Sequence, residues 1–228
     1  MDLARHASGI GALADPTRRA LYELVAAAPD AVGREQAAEA VGVPVRSASF
    51  HLDRLVAEGL LEVDYRRLNG RSGPGAGRPC KLYRRAEQEF AVSLPPRRYD
   101  LVGDILAEAV TRTADGEPLA GSLAAAARDE GLAVGGVVSG VDAEPSLPAV
   151  ARVLAGQGFE PQVDDDSVAL RTCPFDTLAQ KHTQLVCGLN ESFVQGVVDG
   201  LGRDDVRACL EPEPGWCCVR VRPRDSAL

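Results

Sequence analysis

The chain has 228 residues, 45% of them hydrophobic and 25% charged, with a formal net charge of −8. That composition suits a globular protein with enough apolar side chains for a core, and it excludes disordered and collagen-like chains. No apolar run approaches the roughly 18 residues of a membrane-spanning helix, and the opening MDLARHASGIG lacks the apolar segment of a signal peptide, so a cytoplasmic protein with no membrane partner is expected.

In a reducing compartment the six cysteines point toward metal, cluster or redox chemistry more than toward disulfides. The charge is unevenly spread. Residues 1–100 carry 15 Lys and Arg against 13 Asp and Glu, and the remainder 10 against 20. Within RRLNGRSGPGAGRPCKLYRR, residues 66–85, seven basic residues occur without one acid. This is a local basic patch on an acidic chain.

In chain order, Asp15-Pro16 predicts a helix start, with Asp15 as N-cap and Pro16 where a missing N–H costs nothing. Leu21, Leu24, Val25 and Ala28 give that helix one apolar face. A short helix over REQAAEAV ends at Gly42. In PVRSASFHLDRLVAEG, Val45, Ala48, Leu52, Leu55 and Val56 recur at helical spacing and Gly59 closes a third helix. Its other face carries Arg46, Ser47, Ser49, His51 and Arg54. LLEVDYR and CKLYRR then read as two strands around the Gly/Pro/Arg segment.

Two short helices joined by a glycine-containing turn, the second with a polar outer face, have the layout of a DNA-binding helix-turn-helix. A basic hairpin after them has the layout of a wing. Arg46, Ser47, Ser49, His51 and Arg54 are then candidate DNA contacts, with Arg71 and Arg78 of the wing able to meet phosphates or the minor groove. A charged face of this kind can equally be a solvated surface.

SLPPRRYD, residues 93–100, reads as a boundary. YDLVGDILAEAV, with Leu101, Val102, Ile105, Ala109 and Val110 on an apolar face, and PLAGSLAAAARDEG predict two helices, packed either between subunits or within the chain. VGGVVSGVDAEP reads as a loop. From Ser146 the pattern is a helix in LPAVARVLAGQGF, two short strands in EPQVDDDSVALRT, a helix of more than twenty residues in DTLAQKHTQLVCGLNESFVQGVVDGLG, and a closing hairpin of VRACLEP and WCCVRVRP. The expected class is therefore α+β: an N-terminal winged helix-turn-helix (1–92), a helical connector and candidate dimerisation region (93–140), and a small C-terminal α+β cysteine-containing domain (141–228).

Thiolates are soft anionic ligands for zinc and iron–sulfur clusters when three or four converge. Cys173 precedes Pro174 and Asp176 near a predicted helix N-terminus, where the dipole favours thiolate. Cys187 lies within the same helix. Cys217 and Cys218 on a strand would face opposite ways, so one of the two is expected to join the site, with Cys217 sharing its side with Val219 and Val221. Cys80 and Cys209 read as small packed residues. His182 is a candidate fourth ligand, and Glu191, one turn after Cys187, a weaker one. Structural zinc and direct thiol oxidation are the alternatives to a cluster. Neither a C-x-x-C redox motif nor a Ser-His-Asp-like motif is present, so an enzyme is not expected.

LADPTRRALYEL, AAEAVGVPVRSASFHLDRLVAEGLLEV and GRPCKLYRR resemble the winged helix-turn-helix of ArsR-type bacterial repressors over roughly residues 9–90. The resemblance implies a homodimer on a near-palindromic double-stranded DNA operator. VRSASF stands where the arsenic-sensing branch carries a CVC-like pair. CPFDTLAQKHTQLVC, followed by a cysteine about thirty residues on, is similar to the C-terminal domain of SufR-like repressors. That likeness implies an iron–sulfur cluster, 2Fe-2S or 4Fe-4S, on Cys173, Cys187 and Cys217 or Cys218, with cluster state controlling transcription through operator affinity. The cyanobacterial members have a further cysteine before the last of these positions, and Cys209 is offset from it.

Overall fold

The computed structural model describes residues 3–66, 79–114, 116–138 and 144–224. The chain divides into two compact units, Met1–Val92 and Ser93–Leu228. Among the described residues no helix is long and apolar enough to cross a membrane.

The first unit contains α1 (Leu3–Ala12), α2 (Pro16–Ala27), β1 (Val32–Gly33), α3 (Arg34–Val41), α4 (Val45–Ala57), β2 (Leu61–Arg66) and β3 (Cys80–Arg85). Asp15 caps α2, its carboxylate accepting from the Arg18 N–H at 2.8 Å, with Pro16 at the first helical position. Gly42, at φ 73°, takes the left-handed conformation that ends α3, and its N–H donates to the Ala38 carbonyl. That turn frees the chain to restart as α4. Leu21, Val25, Ala37, Ala38, Ala48, Leu52 and Leu55 form one core with Tyr83 of β3. The three strands run in the order β1-β3-β2, all antiparallel. α1 precedes the first element expected from the sequence. One expectation changes: Val45, the first residue of α4, is 42% exposed because Pro44 caps the helix and the apolar face begins only at Ala48.

The second unit contains α5 (Tyr99–Ala114), α6 (Leu119–Gly136), α7 (Ser146–Gly156), β4 (Pro161–Val163), β5 (Val168–Leu170), α8 (Asp176–Lys181), α9 (Thr183–Gly200), β6 (Val206–Leu210) and β7 (Val219–Pro223). Its antiparallel sheet has the order β4-β5-β7-β6, with Val168 and Ala208 both opposite Val221. α6 and α9 meet backbone to backbone. A Cβ on Gly131 would lie 2.1 Å from the Phe193 carbonyl oxygen, and one on Gly196 would lie 2.1 Å from that of Arg128; Gly135 and Gly200 repeat the pattern one turn on. Small residues four apart on both helices permit this approach. The segment 93–140, set apart in the sequence as a connector, thus joins the unit's own core: Leu101, Val102, Ile105, Leu123 and Ala126 are buried with Leu189, Phe193 and Val197. Val110, by contrast, is 60% exposed. α6 also continues into the segment read as a loop, ending at Gly136.

The single long helix expected over 176–202 is broken at His182, whose φ of −134° and ψ of 51° separate α8 from α9. Lys181 through Leu185 are all exposed, so no buried side chain holds the helix straight there.

Candidate functional site

On α4 the core residues Ala48, Leu52 and Leu55 fix which face turns outward. The exposed stripe consists of Arg46, Phe50, Asp53, Arg54 and Ala57, spaced three and four residues apart. Of the residues named from sequence, Arg46 and Arg54 lie on it, whereas Ser47, Ser49 and His51 are half-buried along its flanks. The Arg54 guanidinium pairs with Glu58 at 2.5 Å, and Glu58 also accepts from the Ser8 hydroxyl at 2.7 Å. His51 stands edge-on to Phe50, with ring centroids 5.3 Å apart, and its Nδ1 is buried with no hydrogen-bond partner among the described residues. It is therefore a support of the stripe more than a reader. Asp53 accepts from Lys81 and, at 2.8 Å, from the Tyr83 hydroxyl, fastening the second strand of the hairpin to α4. Burial opposes the Asp53 charge, but these two donors outweigh it and hold the carboxyl below its ordinary range. Arg71 and Arg78 lie outside the described residues. Sequence reasoning missed Phe50, whose signal is a lone ring four residues after Arg46 on an otherwise polar face.

In the second unit four cysteines come together from three segments: Cys173 in the β5–α8 loop, Cys187 on α9, and Cys217 with Cys218 just before β7. Cys217 is the hub. It accepts from the Asn190 Nδ2 at 3.2 Å, and the Cys173 and Cys218 thiols and the Val219 N–H stand close enough to lower its pKa. Cys218 also meets Cys187. These contacts, the Cys173 thiol first among them, hold Cys217 far below the ordinary thiol range despite its burial. The same contact, with burial, pushes the Cys173 thiol up. Cys218 is raised likewise, chiefly by its bond to Cys217.

One expectation is corrected here, at Cys80. The Cys173 thiol is raised by its contact with Cys217 and by burial, and α8, which follows it, is only six residues long. The Cys173 carbonyl, in turn, accepts from the Asp176 N–H at 3.2 Å and from Arg97 Nη1 at 2.8 Å, which fixes the loop. The strand begins only at Val219, and a bend at Cys218 removes the alternation of faces, so the two thiols of the pair stand beside one another. The Cys217 N–H still donates to the Leu170 carbonyl at 2.8 Å, anchoring the bend on β5. Finally, Cys80 is exposed, since it opens β3 ahead of the buried Leu82 and Tyr83. Cys209 is half-buried on β6. His182 is exposed and, with Glu191, lines an open groove along α6 and α9.

Trp216 precedes the pair, with the guanidiniums of Arg171 and Arg220 at 5.7 and 5.9 Å from its ring. Two cations thereby stand at the turn that carries the hub thiolate. In the arrangement described, the four sulfurs form a chain. Among the described residues no group of three or more His, Cys, Asp or Glu side chains is set to hold a metal ion as it stands. The donor set nevertheless has the number and softness that a zinc ion or an iron–sulfur cluster takes.

Residues 13–64 match a helix-turn-helix domain family, of the kind found in ArsR-type and other winged-helix regulators. The match spans α2 to β2 and includes the whole outward stripe of α4. No curated protein matches the chain.

Proposed function

We propose that the chain is a DNA-binding transcriptional regulator of the SufR-like kind, in which the thiol centre of the second unit holds an iron–sulfur cluster whose presence sets operator affinity. The helix-turn-helix match supports the first part. The observation that carries the second is the meeting of four thiols from three distant segments around one hydrogen-bonded thiolate. Cys173, Cys187, Cys217 and Cys218 would be the ligands, and Asn190 would keep its N–H on the Cys217 sulfur, as outer partners of metal sites do. The group, when bound, would supply sensitivity to oxidants through its redox chemistry. On the protein side, the loop of Cys173 and the bend of Cys217–Cys218 are the irregular segments that yield to bring the sulfurs around a common centre. In this reading the protein acts as a cytoplasmic homodimer on a two-fold operator and has no catalytic role, and the two sites are joined by a coupling free energy.

The test is anaerobic purification of the full chain, with iron, sulfide and zinc analysis and a visible spectrum, followed by binding to DNA with and without the chromophore. Iron with sulfide and a visible charge-transfer band, lost in Cys217→Ser, is the expected result. A colourless, iron-free protein overturns the cluster.

The contacts between the sulfurs favour one second reading, direct oxidation of the thiols. The Cys217 thiolate and the Cys173 thiol would together give up two electrons and the Cys173 proton to a peroxide-type oxidant, forming a disulfide that a thiol reductant reverses. Metal-free protein that reversibly loses two titratable thiols would support it, whereas stoichiometric zinc without iron would mark the centre as structural.

A further inference from the structure

Phe50 is 66% exposed at the middle of the outward stripe of α4, with Arg46 one turn before it and Asp53 and Arg54 one turn after. Single exposed apolar residues are common and need no purpose. Phe50 differs in three respects. It lies on the second helix of the matched helix-turn-helix, it shares a stripe with an exposed arginine, and its ring is steadied edge-on by His51. A ring held there and left in water is placed to lose that water against something apolar.

We propose that Phe50 is a specificity-determining residue that reads the 5-methyl group of a thymine in the major groove, a role that rests on the DNA-binding reading above. On the major-groove edges of the four bases the thymine methyl is the one projecting apolar group; cytosine has a bare C5–H in its place, and the remaining groups are donors and acceptors. A phenyl ring offers no hydrogen bond. Against the methyl it buries apolar surface on both sides; against a purine N7 or a cytosine amino group it strips water and returns nothing. Discrimination therefore comes from attraction to thymine and from a desolvation cost at the other bases.

Spacing sharpens the proposal. Phe50 and Arg46 lie about 6 Å apart along the helix axis at 1.5 Å per residue, and bases stack at about 3.4 Å per step. The thymine should thus stand about two base pairs from the base that Arg46 reads, for which guanine is the best bidentate partner.

The experiment selects duplexes from a random-sequence pool with the full chain, then replaces each thymine of the enriched sequence, one at a time, by deoxyuridine. That change deletes the methyl and leaves every hydrogen-bonding group in place. For the native chain, one thymine per half-site should lower affinity about fourfold on replacement, the value of one buried methyl-sized group. Phe50→Ala should bind the thymine and uracil duplexes equally, and Phe50→Leu, which keeps an apolar tip, should retain part of the preference. Because Phe50 is exposed, thermal unfolding of the two variants should match that of the native chain. If the pool is not enriched at all, the DNA-binding reading falls and takes this role with it. If it is enriched but no thymine methyl matters, or Phe50→Ala keeps the native preference, the role of Phe50 alone is overturned.

Discussion

The two units present chemistry in opposite ways. In the first, α4 turns Ala48, Leu52 and Leu55 inward and the stripe from Arg46 to Ala57 outward, so one regular helix separates folding from function. In the second, Cys217 is at once buried in the core and hub of the thiol centre. Its thiols arrive from a loop, a helix and a bend, and the helix among them, α9, is pressed backbone to backbone on α6. Substitutions at Arg46 and Phe50 of α4 should therefore change binding without changing stability. Around the thiols the two should change together.

The largest effect should come from the α6–α9 contact. In Gly196→Ala the new methyl meets the Arg128 carbonyl oxygen at 2.1 Å, and backbone cannot swing aside as a side chain can. The helices must part, at a cost of about 3 kcal/mol, and the thiol centre should lose its ordered arrangement with them. Gly188 lies on the same helix with open space where a Cβ would stand. Gly188→Ala should stabilise by about 0.5–1 kcal/mol through lower unfolded-state entropy. Denaturant unfolding of both variants checks the pair, and equal effects at the two glycines would remove the close approach as the cause.

Next is Asn190, fully buried on α9 beside the hub thiolate. Asn190→Ala deletes the donor to Cys217 and opens a small cavity, which together should cost about 2 kcal/mol. The same variant should make Cys217 less acidic, seen as a later rise of thiolate absorbance with pH in metal-free protein. A loss of stability with no movement of that titration would reduce Asn190 to a packing residue. On α4 the outcome should be reversed. Arg46→Ala should weaken binding to selected duplexes by about tenfold, within the range of one bidentate base contact, while unfolding free energy stays within about 0.5 kcal/mol of the native chain.

What the sequence revealed follows the same division. The positions of α2, α3 and α4 are legible because capping at Asp15, the turn at Gly42 and the spacing of Ala48, Leu52 and Leu55 are local signals. Phe50 escapes that reading because a lone apolar residue on the face opposite Ala48, Leu52 and Leu55 belongs to no pattern of its own, and only its exposure marks it. The cysteines are legible as residue types, but their geometry depends on where β7 begins, and no local signal distinguishes a strand starting at Trp216 from one starting at Val219. The break at His182 is hidden for a similar reason: QKHTQ is compatible with helix, and the interruption arises where no side chain packs inward. The close approach of α6 and α9 needs glycines on both helices, a pairing that periodicity within either segment does not reveal.

The smallest expected effect concerns the bond that fastens β3 to α4. Asp53 is charged in the folded protein, with its carboxyl held below the ordinary value by Lys81 and Tyr83 against the opposing effect of burial. A folded-state pKa below the unfolded one means that protons bind the unfolded chain more readily, so the bond contributes stability above the unfolded carboxyl's pKa and loses it as pH falls through the folded value. Lys81 is raised, with burial opposed by its bond to Asp53, so its share is present at neutral pH and is lost only in strong alkali. Because the Asp53 side chain is half exposed, water screens the pair and the contribution should stay below about 1 kcal/mol. Asp53→Asn should therefore destabilise the chain slightly at pH 7, and the difference from the native chain should close on acidification below about pH 4. Thermal unfolding across that range checks the sign. A difference that widened on acidification would mean that Asp53 is not the charged partner of Lys81, and that the buried Tyr83 hydroxyl alone holds the strand against the helix.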